Sequence, residues 1–192
     1  MKTILYLHGF LSSPASAKVR MLIDAVGNSA EVLAPDLNLA PAEVDQTVRR
    51  TIRALGELGH DVTVVGSSLG GFFAARAAAE FGLRAVLLNP CLNPWERVPE
   101  WVGHREIFGT TRYFDVLPSF ATDFQILNRQ LSPLQADGQK TLVVLSTADE
   151  VLSWRCAASA FGHSRQLILP GEDHRISGFE TIVPRILDFC WI

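Results

Sequence analysis

Residues 62–71 are Val62-Thr63-Val64-Val65-Gly66-Ser67-Ser68-Leu69-Gly70-Gly71, a short apolar run that leads into the pattern Gly-X-Ser-X-Gly. A buried strand that passes through this pattern directly into a helix is a nucleophile elbow, a sharp turn that lifts a serine hydroxyl above the end of a sheet. So tight a turn needs small neighbours, which Gly66 and Gly70 supply. The segment therefore predicts an α/β fold with Ser68 as the nucleophile and Ser67 at the variable position of the pattern.

Other short apolar runs on either side resemble the strand of this elbow, because each is continuous rather than alternating and ends in turn residues. They are Thr3–Leu7, Glu31–Ala34, Ala85–Leu88, Thr141–Leu145 and Gln166–Leu169. Continuous apolar runs are typical of strands buried on both faces of a parallel sheet. With helical patterns between most of them, they predict a compact α/β-hydrolase fold with a mostly parallel sheet of about six strands and helices on both faces.

Helix boundaries follow from capping residues and breakers. We expect the first helix to begin at Ser13-Pro14 and to end at Gly27, and the last helix to be capped by Thr181 with Pro184 in its first turn. Between them, helical spacing predicts a stripe from Val44 to Leu58, a helix over 69–81 and another over 153–161.

Residues 92–139 break this alternation and are rich in aromatic residues, prolines and glycines. The segment is too long for an ordinary connection. One interpretation is a cap-like insertion, part helix and part loop, over the carboxyl edge of the sheet. The other is a surface elaboration that fills a hydrophobic gap. In either case we expect residues 1–192 to form a single domain.

A serine hydroxyl needs a base, and this fold places a carboxylate and then a histidine later in the chain. His174 alone among the five histidines follows the last predicted strand, so it is the expected base. The carboxylate should follow the preceding strand, where Asp149 comes first and Glu150 is the alternative. The carboxylate would hold the imidazole in the correct tautomer. The predicted catalytic residues are therefore Ser68, Asp149 and His174.

The oxyanion of such a reaction needs two backbone N–H groups. We expect them from Leu69, which follows the nucleophile, and from Phe10, in the loop after the first strand. In that loop Gly9 is expected to adopt an unusual backbone angle, and His8 to hold the loop by hydrogen bonds. Further candidates for the substrate pocket lie near the same edge of the sheet or in the insertion: His8, Leu11, Cys91 and Trp95. The alternative interpretation of Cys91 is that it is a small residue of the hydrophobic core.

Composition excludes several other classes of protein. A formal net charge of −3 and scattered arginines give no basic footprint for nucleic acid. No apolar stretch approaches the ~20 residues of a membrane helix, and the apolar run near the N-terminus is too short for an export signal. No phosphate loop, dinucleotide fingerprint or metal-ligand spacing occurs, so we expect neither cofactor nor metal. Three widely spaced cysteines favour reduced thiols and a cytoplasmic location.

The sequence resembles the YqiA-like esterases, small bacterial α/β hydrolases, over nearly its whole length. The resemblance is densest in Leu5–Phe10 with Ser12-Ser13-Pro14 and Ser16-Ala17-Lys18, in Val65–Gly71, in Asn89-Pro90, in Asp149–Leu152 and in His174 with Gly178-Phe179-Glu180. It implies hydrolysis of carboxylic esters or thioesters without a cofactor. The segment 92–139 departs from the family pattern, which leaves substrate choice open.

The expected activity is that of a serine esterase or thioesterase acting on small apolar acyl groups through an acyl-enzyme. Two alternatives stay open. One keeps the triad but cleaves another bond, either amide, peptide or carbon–carbon. The other is a non-catalytic binding protein on a hydrolase scaffold. The expected partner is a small-molecule substrate, and the sequence says nothing about the oligomeric state.

Overall fold

A computed structural model of the protein describes residues 1–191. Within that range, six parallel strands form one sheet and two antiparallel strands form a separate hairpin. In chain order the strands are β1 (Lys2–Leu7), β2 (Glu31–Leu33), β3 (Asp61–Ser67), β4 (Arg84–Leu88), β5 (Gly103–Glu106), β6 (Tyr113–Val116), β7 (Thr141–Ser146) and β8 (Arg165–Leu169). Each of the six predicted strands is present, which agrees with the continuous apolar runs.

Seven α-helices lie in the described part of the chain. They are α1 (Ala17–Val26), α2 (Pro41–Glu57), α3 (Leu69–Phe81), α4 (Pro94–Trp101), α5 (Phe120–Gln130), α6 (Trp154–Ala160) and α7 (Phe179–Trp191). The predicted helix 69–81 coincides with α3, which Gly82 ends in the left-handed conformation that glycine adopts without strain.

The sheet has the strand order β2-β1-β3-β4-β7-β8, with every neighbouring pair parallel. Strand β3 lies near the centre, where Leu7 of β1 is in register with Gly66 and Leu88 of β4 is in register with Ser67. The carboxyl ends of β1, β3, β4 and β7 therefore meet at one edge of the sheet, where ligand sites of open α/β sheets form.

The sheet separates two hydrophobic cores. Leu5 and Leu7 pack with α2, α3 and α5 on one face, whereas Ile4 and Tyr6 pack with α1 and α7 on the other. Successive side chains of a strand point to opposite faces, so an all-apolar strand needs helices on both sides. The edge strands β2 and β8 are partly exposed instead, because each has a neighbour on one side alone.

Two predicted helix starts are wrong. Helix α1 begins at Ala17 rather than at Ser13-Pro14, and Ser16 is its N-cap residue. Helix α7 begins at Phe179, so Thr181 and Pro184 lie inside the helix. The hydroxyl of Thr181 donates to the carbonyl oxygen of Gly178 in the turn before the helix. Short polar residues make such bonds inside the first turn as well as at the cap, which is why the sequence alone misplaced this boundary.

The segment 92–139 contains α4, the β5–β6 hairpin and α5. The helical part agrees with the prediction, whereas the hairpin was expected to be loop. Its strands hold mostly exposed residues without a buried face, so no hydrophobic alternation marks them in the sequence. No helix of residues 1–191 is long and apolar enough to cross a membrane.

Candidate active site

Ser68 lies alone in the turn between β3, which ends at Ser67, and α3, which begins at Leu69. Its backbone angles are φ 53° and ψ −116°, and residues other than glycine rarely adopt a positive φ. The Ser68 N–H donates to the carbonyl oxygen of Leu88 at 2.9 Å, and its own carbonyl oxygen accepts from Gly71 and Cys91 at 2.9 and 3.0 Å. The surrounding backbone therefore holds the strained conformation in place.

Glycines make this turn possible by letting backbone segments touch. A methyl group at Gly66 would overlap the carbonyl group of Gly70, and one at Gly70 would overlap the carbonyl group of Leu7. At Gly71 the conflict would be with the Pro90 ring, 2.8 Å away, directly after β4. The glycines of the pattern thus serve the close approach of the helix to three strand ends rather than an unusual backbone angle.

The structure brings Ser68, His174 and Asp149 together in one hydrogen-bonded chain. The Nε2 atom of His174 lies 3.0 Å from the Ser68 hydroxyl oxygen, and its Nδ1 atom lies 2.8 Å from a carboxylate oxygen of Asp149. An ionised carboxylate accepts hydrogen bonds and cannot donate them, so the ring proton belongs on Nδ1. This tautomer leaves the lone pair of Nε2 free to accept the Ser68 proton.

The Asp149 carboxylate is held from both sides. Its second oxygen accepts the backbone N–H groups of Val151 and Leu152, each at 2.8 Å, and its side chain is 1% exposed. Burial opposes ionisation, but the hydrogen bonds from His174, Leu152 and Val151 outweigh it and lower the pKa of Asp149 below its ordinary value. The carboxylate is therefore charged at neutral pH, as a group that is to stabilise a positive imidazolium ring must be.

The neighbouring carboxylates have other partners. Glu150 accepts the backbone N–H of His174 at 3.0 Å, so it braces the loop rather than the ring. Asp173 accepts the backbone N–H and the hydroxyl of Ser177 at 2.9 and 2.8 Å, which lowers its pKa. Of the three, Asp149 alone contacts the imidazole.

Asn89 is a buried side chain of this site that the sequence did not single out for a role. Its amide donates to the Ser146 hydroxyl at 2.9 Å and to the His174 carbonyl oxygen at 3.0 Å. Its own oxygen accepts the Ser146 backbone N–H at 2.8 Å. Asn89 thus ties the ends of β4 and β7 to the loop that carries the histidine. The signal available in the sequence was an asparagine directly after an apolar run, since asparagine tolerates the positive φ of 42° that it adopts at this strand end.

The sequence proposes the backbone N–H groups of Phe10 and Leu69 for the oxyanion; Phe10 lies in the loop after β1, and Leu69 is the first residue of α3. Within residues 1–191 neither of them donates to a protein oxygen, while each lines a cavity beside Ser68. The expectation for Gly9 is wrong, because Gly9 has no positive φ and Leu11 has one, at 55°. A side chain at Gly9 would instead press on Ser67 and Ser68.

His8 holds the loop after β1, as expected. Its Nδ1 atom lies 2.9 Å from the Gly9 carbonyl oxygen, and its Nε2 atom accepts the Leu37 backbone N–H at 3.0 Å. A ring that donates at Nδ1 and accepts at Nε2 is neutral. Burial lowers the pKa of His8 below its ordinary value, against the opposing effects of the Gly9 carbonyl and Asp36. The ring therefore does not serve as a proton carrier here.

Two cavities meet beside Ser68 and share Gly9, Phe10 and Trp101. The first has a volume of about 20 Å³ and an almost wholly apolar lining. Its walls are His8, Gly9, Phe10, Leu11, Leu37, Asn38, Leu39, Pro41, Val44, Leu69, Phe73, Trp101, Phe114, Val116, Phe120 and Phe124. This volume suits about one water molecule, so the walls must give way before an acyl chain enters.

The second cavity is a cleft of about 600 Å³ that contains Ser68 and His174. The rings of Phe10 and Trp101 stack at 4.3 Å between the two cavities. Trp101 and Phe108 are therefore the aromatic residues of the insertion that line the cleft with Ser68. Trp95 and Cys91 line neither cavity: Trp95 packs on the core, and Cys91 is buried with its pKa raised to about 12 by burial. Among residues 1–191 there is no cluster of side chains that could hold a metal ion.

The parallel sheet, the elbow and the loops at its carboxyl edge define the α/β-hydrolase fold, as predicted. Est1E from Butyrivibrio proteoclasticus has this fold, with a TM-score of 0.76 and 14% identity over 97% of this chain and 86% of that one. So does a monoacylglycerol lipase from Paleococcus ferrophilus, with a TM-score of 0.73 and 14% identity over 98% and 93% of the two chains. At such identities the likeness shows the fold alone.

The chain belongs to the family described as "Uncharacterised protein family (UPF0227)", which it matches over residues 3–191. Among its relatives, the UPF0227 protein YcfP of Escherichia coli O139:H28 is 25% identical over 195 residues, covering 97% of each chain. This membership confirms the family resemblance drawn from the sequence.

Proposed function

We propose that the protein is a serine esterase that hydrolyses carboxylic esters or thioesters of small apolar acyl groups. The observation that carries the proposal is the hydrogen-bonded chain Ser68–His174–Asp149, at 3.0 and 2.8 Å, above a strained strand-to-helix turn. Backbone strain of this kind is costly and is retained where it serves a site. The names of neighbours with this fold, a lipase among them, agree with ester hydrolysis.

The reaction begins when His174 Nε2 takes the Ser68 proton as the serine oxygen attacks the carbonyl carbon. The carbonyl oxygen becomes negative and accepts hydrogen bonds from the backbone N–H groups of Phe10 and Leu69. The imidazolium, stabilised by Asp149, then gives its proton to the leaving alcohol or thiol, and the acyl group stays on Ser68. Water repeats the sequence, which releases the acid and restores the serine.

The acyl group is assigned to the cavity beyond Phe10 and Trp101, because the lining of that cavity is almost wholly apolar. Its small volume favours short chains. We further propose that residues 1–192 form one hydrolase domain in which 92–139 is a cap. Support comes from Trp101, Phe114 and Phe120 of that segment, which line the apolar cavity. The cytoplasmic location and the absence of a cofactor stay predictions.

The experiment is a panel of matched butyryl substrates: an ester, a thioester and an amide. We expect the wild type to hydrolyse the ester and the thioester, and Ser68→Ala to lose at least about a thousandfold in turnover. Ser67→Ala, one residue away, is the matched control and should keep most of the activity. Cleavage of the amide without cleavage of either ester would show that the enzyme acts on amide bonds, and would overturn the proposed esterase function. No turnover, together with no fluorophosphonate labelling, would favour the binding protein.

A further inference from the structure

Lys18 is a charged group beside the site that the proposed mechanism does not use. It lies in the first turn of α1, is half-buried, and lines the wide cleft that contains Ser68 and His174. Its ammonium group donates to the Arg175 carbonyl oxygen and faces the Phe179 ring at 5.5 Å. An ammonium group has three donors, so this bond leaves two of them for another partner.

The protein gives this cation no close counter-ion. Within residues 1–191 no carboxylate oxygen forms an ion pair with Lys18. The carboxylate with the largest electrostatic effect on it, Asp173, has both oxygens engaged by Ser177. Burial lowers the pKa of Lys18, because water no longer solvates its charge fully. A partly buried cation without a counter-ion is costly, and an incoming anion would remove part of that cost.

The charged side chains around the cleft indicate how many negative charges the bound anion carries. Arg175 is the second cation of the lining, and Glu150, held by the His174 backbone N–H, is its carboxylate. Among the side chains that line the cleft, two cations therefore face one carboxylate, and Asp173 offsets part of the Lys18 charge from outside the lining. So small an excess of positive charge suits a monoanion such as a carboxylate better than a dianionic phosphate. The N-terminal end of the α1 dipole adds a weaker positive field, and no acidic residue in the first turn of that helix offsets it.

The two cavities decide which part of the substrate carries the charge. The apolar cavity has no charged lining residue, so it suits the acyl chain. Lys18 and Arg175 line the other cavity, toward which the alcohol or thiol departs. We propose that the substrate is an ester or thioester whose leaving group bears a carboxylate, and that Lys18, assisted by Arg175, binds this carboxylate. The inference rests on the proposed esterase function and adds the chemical class of the leaving group.

The test compares three esters, each measured against its own rate of hydrolysis without enzyme: phenyl butyrate, 4-carboxyphenyl butyrate and the monophenyl ester of succinic acid, whose own carboxylate speeds its hydrolysis in water. An ionised carboxylate hardly changes the acidity of the phenol, so the first two differ in charge alone. The third carries the same charge on the acyl side. We expect wild-type kcat/KM to be about tenfold higher for the carboxyphenyl ester than for the phenyl ester, as one charge-assisted hydrogen bond allows. The succinate ester should be the poorest substrate.

Two substitutions separate binding from support of the loop. Lys18→Met should reduce the preference for the carboxyphenyl ester to about one, whereas Lys18→Arg should keep most of it. If Lys18 serves merely to hold the Arg175 carbonyl, Lys18→Met would lower kcat/KM for the phenyl and carboxyphenyl esters equally, which would overturn the inference.

Failure of the inference and failure of the esterase proposal give different results. Wild-type hydrolysis of phenyl butyrate without any preference for the carboxyphenyl ester would overturn the role of Lys18 and leave the esterase in place. A preference for the succinate ester would likewise overturn it, because the charge would then belong to the acyl side. No hydrolysis of any ester, with no acylation of Ser68, would overturn both proposals.

Discussion

Replacing Asp149 by asparagine and Glu150 by glutamine separates the two carboxylates that the sequence left as alternatives. Each substitution removes one charge and hardly changes the shape of the side chain. In Asp149→Asn, the remaining oxygen can still accept the Val151 and Leu152 N–H groups, now at 2.8 Å, so the loop should keep its conformation. In Glu150→Gln, the amide oxygen can still accept the His174 backbone N–H.

The expected loss of activity in each variant follows from the group that the substituted side chain contacts. In Asp149→Asn, the new side-chain amide would present its N–H₂ group to His174 Nδ1 at the present 2.8 Å contact, and two donors cannot bond. The ring proton then moves to Nε2, which can no longer accept the Ser68 proton. We expect kcat to fall by about 10⁴, or about 5 kcal/mol of transition-state stabilisation. Glu150→Gln loses the charged part of one exposed hydrogen bond, so kcat/KM should fall by no more than about fivefold.

The assay is hydrolysis of phenyl butyrate by both variants and the wild type, with thermal unfolding to show that each variant is folded. Nitrogen NMR of the His174 ring adds an independent measurement, because it reports which ring nitrogen carries the proton. We expect the proton on Nδ1 in the wild type and in Glu150→Gln, and on Nε2 in Asp149→Asn. A larger loss in Glu150→Gln than in Asp149→Asn would refute the assignment of the acid.

Further predictions concern the support of the site, the pocket and pH. Asn89→Ala should lower the free energy of unfolding by roughly 3 kcal/mol, because it leaves buried polar groups unpaired, and should lower kcat as well; urea unfolding and kinetics check both, and an unchanged kcat would contradict its positioning role. Gly70→Ala should destabilise by roughly 3 kcal/mol or more through backbone overlap, whereas Gly56→Ala, which meets no neighbour, should stabilise the exposed end of its helix by about 0.5–1 kcal/mol; equal effects in thermal unfolding would argue against the tight elbow. Trp101→Ala should join the two cavities and raise kcat/KM for octanoyl relative to butyryl esters by about tenfold; an unchanged ratio would place the acyl chain elsewhere. Folding lowers the pKa of Asp149, so the contribution of its ionised carboxylate to stability is present above the ordinary carboxyl pKa and is lost as the pH falls through the lowered value. Asp149→Asn should therefore lose less stability on acidification than the wild type. Identical acid unfolding curves for the two proteins would contradict this prediction.

The sequence predicted the parts of the fold that depend on local pattern. Six apolar runs predicted the six strands of the sheet: the four inner strands are buried on both faces and therefore mostly apolar, and the edge strands β2 and β8 keep enough apolar residues to be recognised. The elbow was predictable because the Gly-X-Ser-X-Gly pattern encodes one backbone shape. The positions of Asp149 and His174 followed from chain order, since each comes directly after a strand whose carboxyl end meets the same edge of the sheet.

What the sequence did not predict depends on contacts between distant residues. Asn89 contacts residues more than 50 positions away, and neither partner marks it locally. Trp95 and Trp101 lie on one short helix, and the direction of that helix decides that Trp101 reaches the site. The positive φ belongs to Leu11 rather than Gly9. Gly9 instead leaves room for the Ser67–Ser68 turn, a contact between two loops that the sequence does not mark.

The most direct measurement is the site of acylation in the intact protein, by mass spectrometry after brief mixing with a slowly deacylating ester. The proposed mechanism predicts one acyl group per chain, mapped by peptide fragmentation to Ser68, in the wild type and none in Ser68→Ala, while Ser67→Ala is acylated like the wild type. An acyl group on Ser67, on a cysteine or on several lysines, with Ser68 unmodified, would contradict a serine nucleophile at this turn.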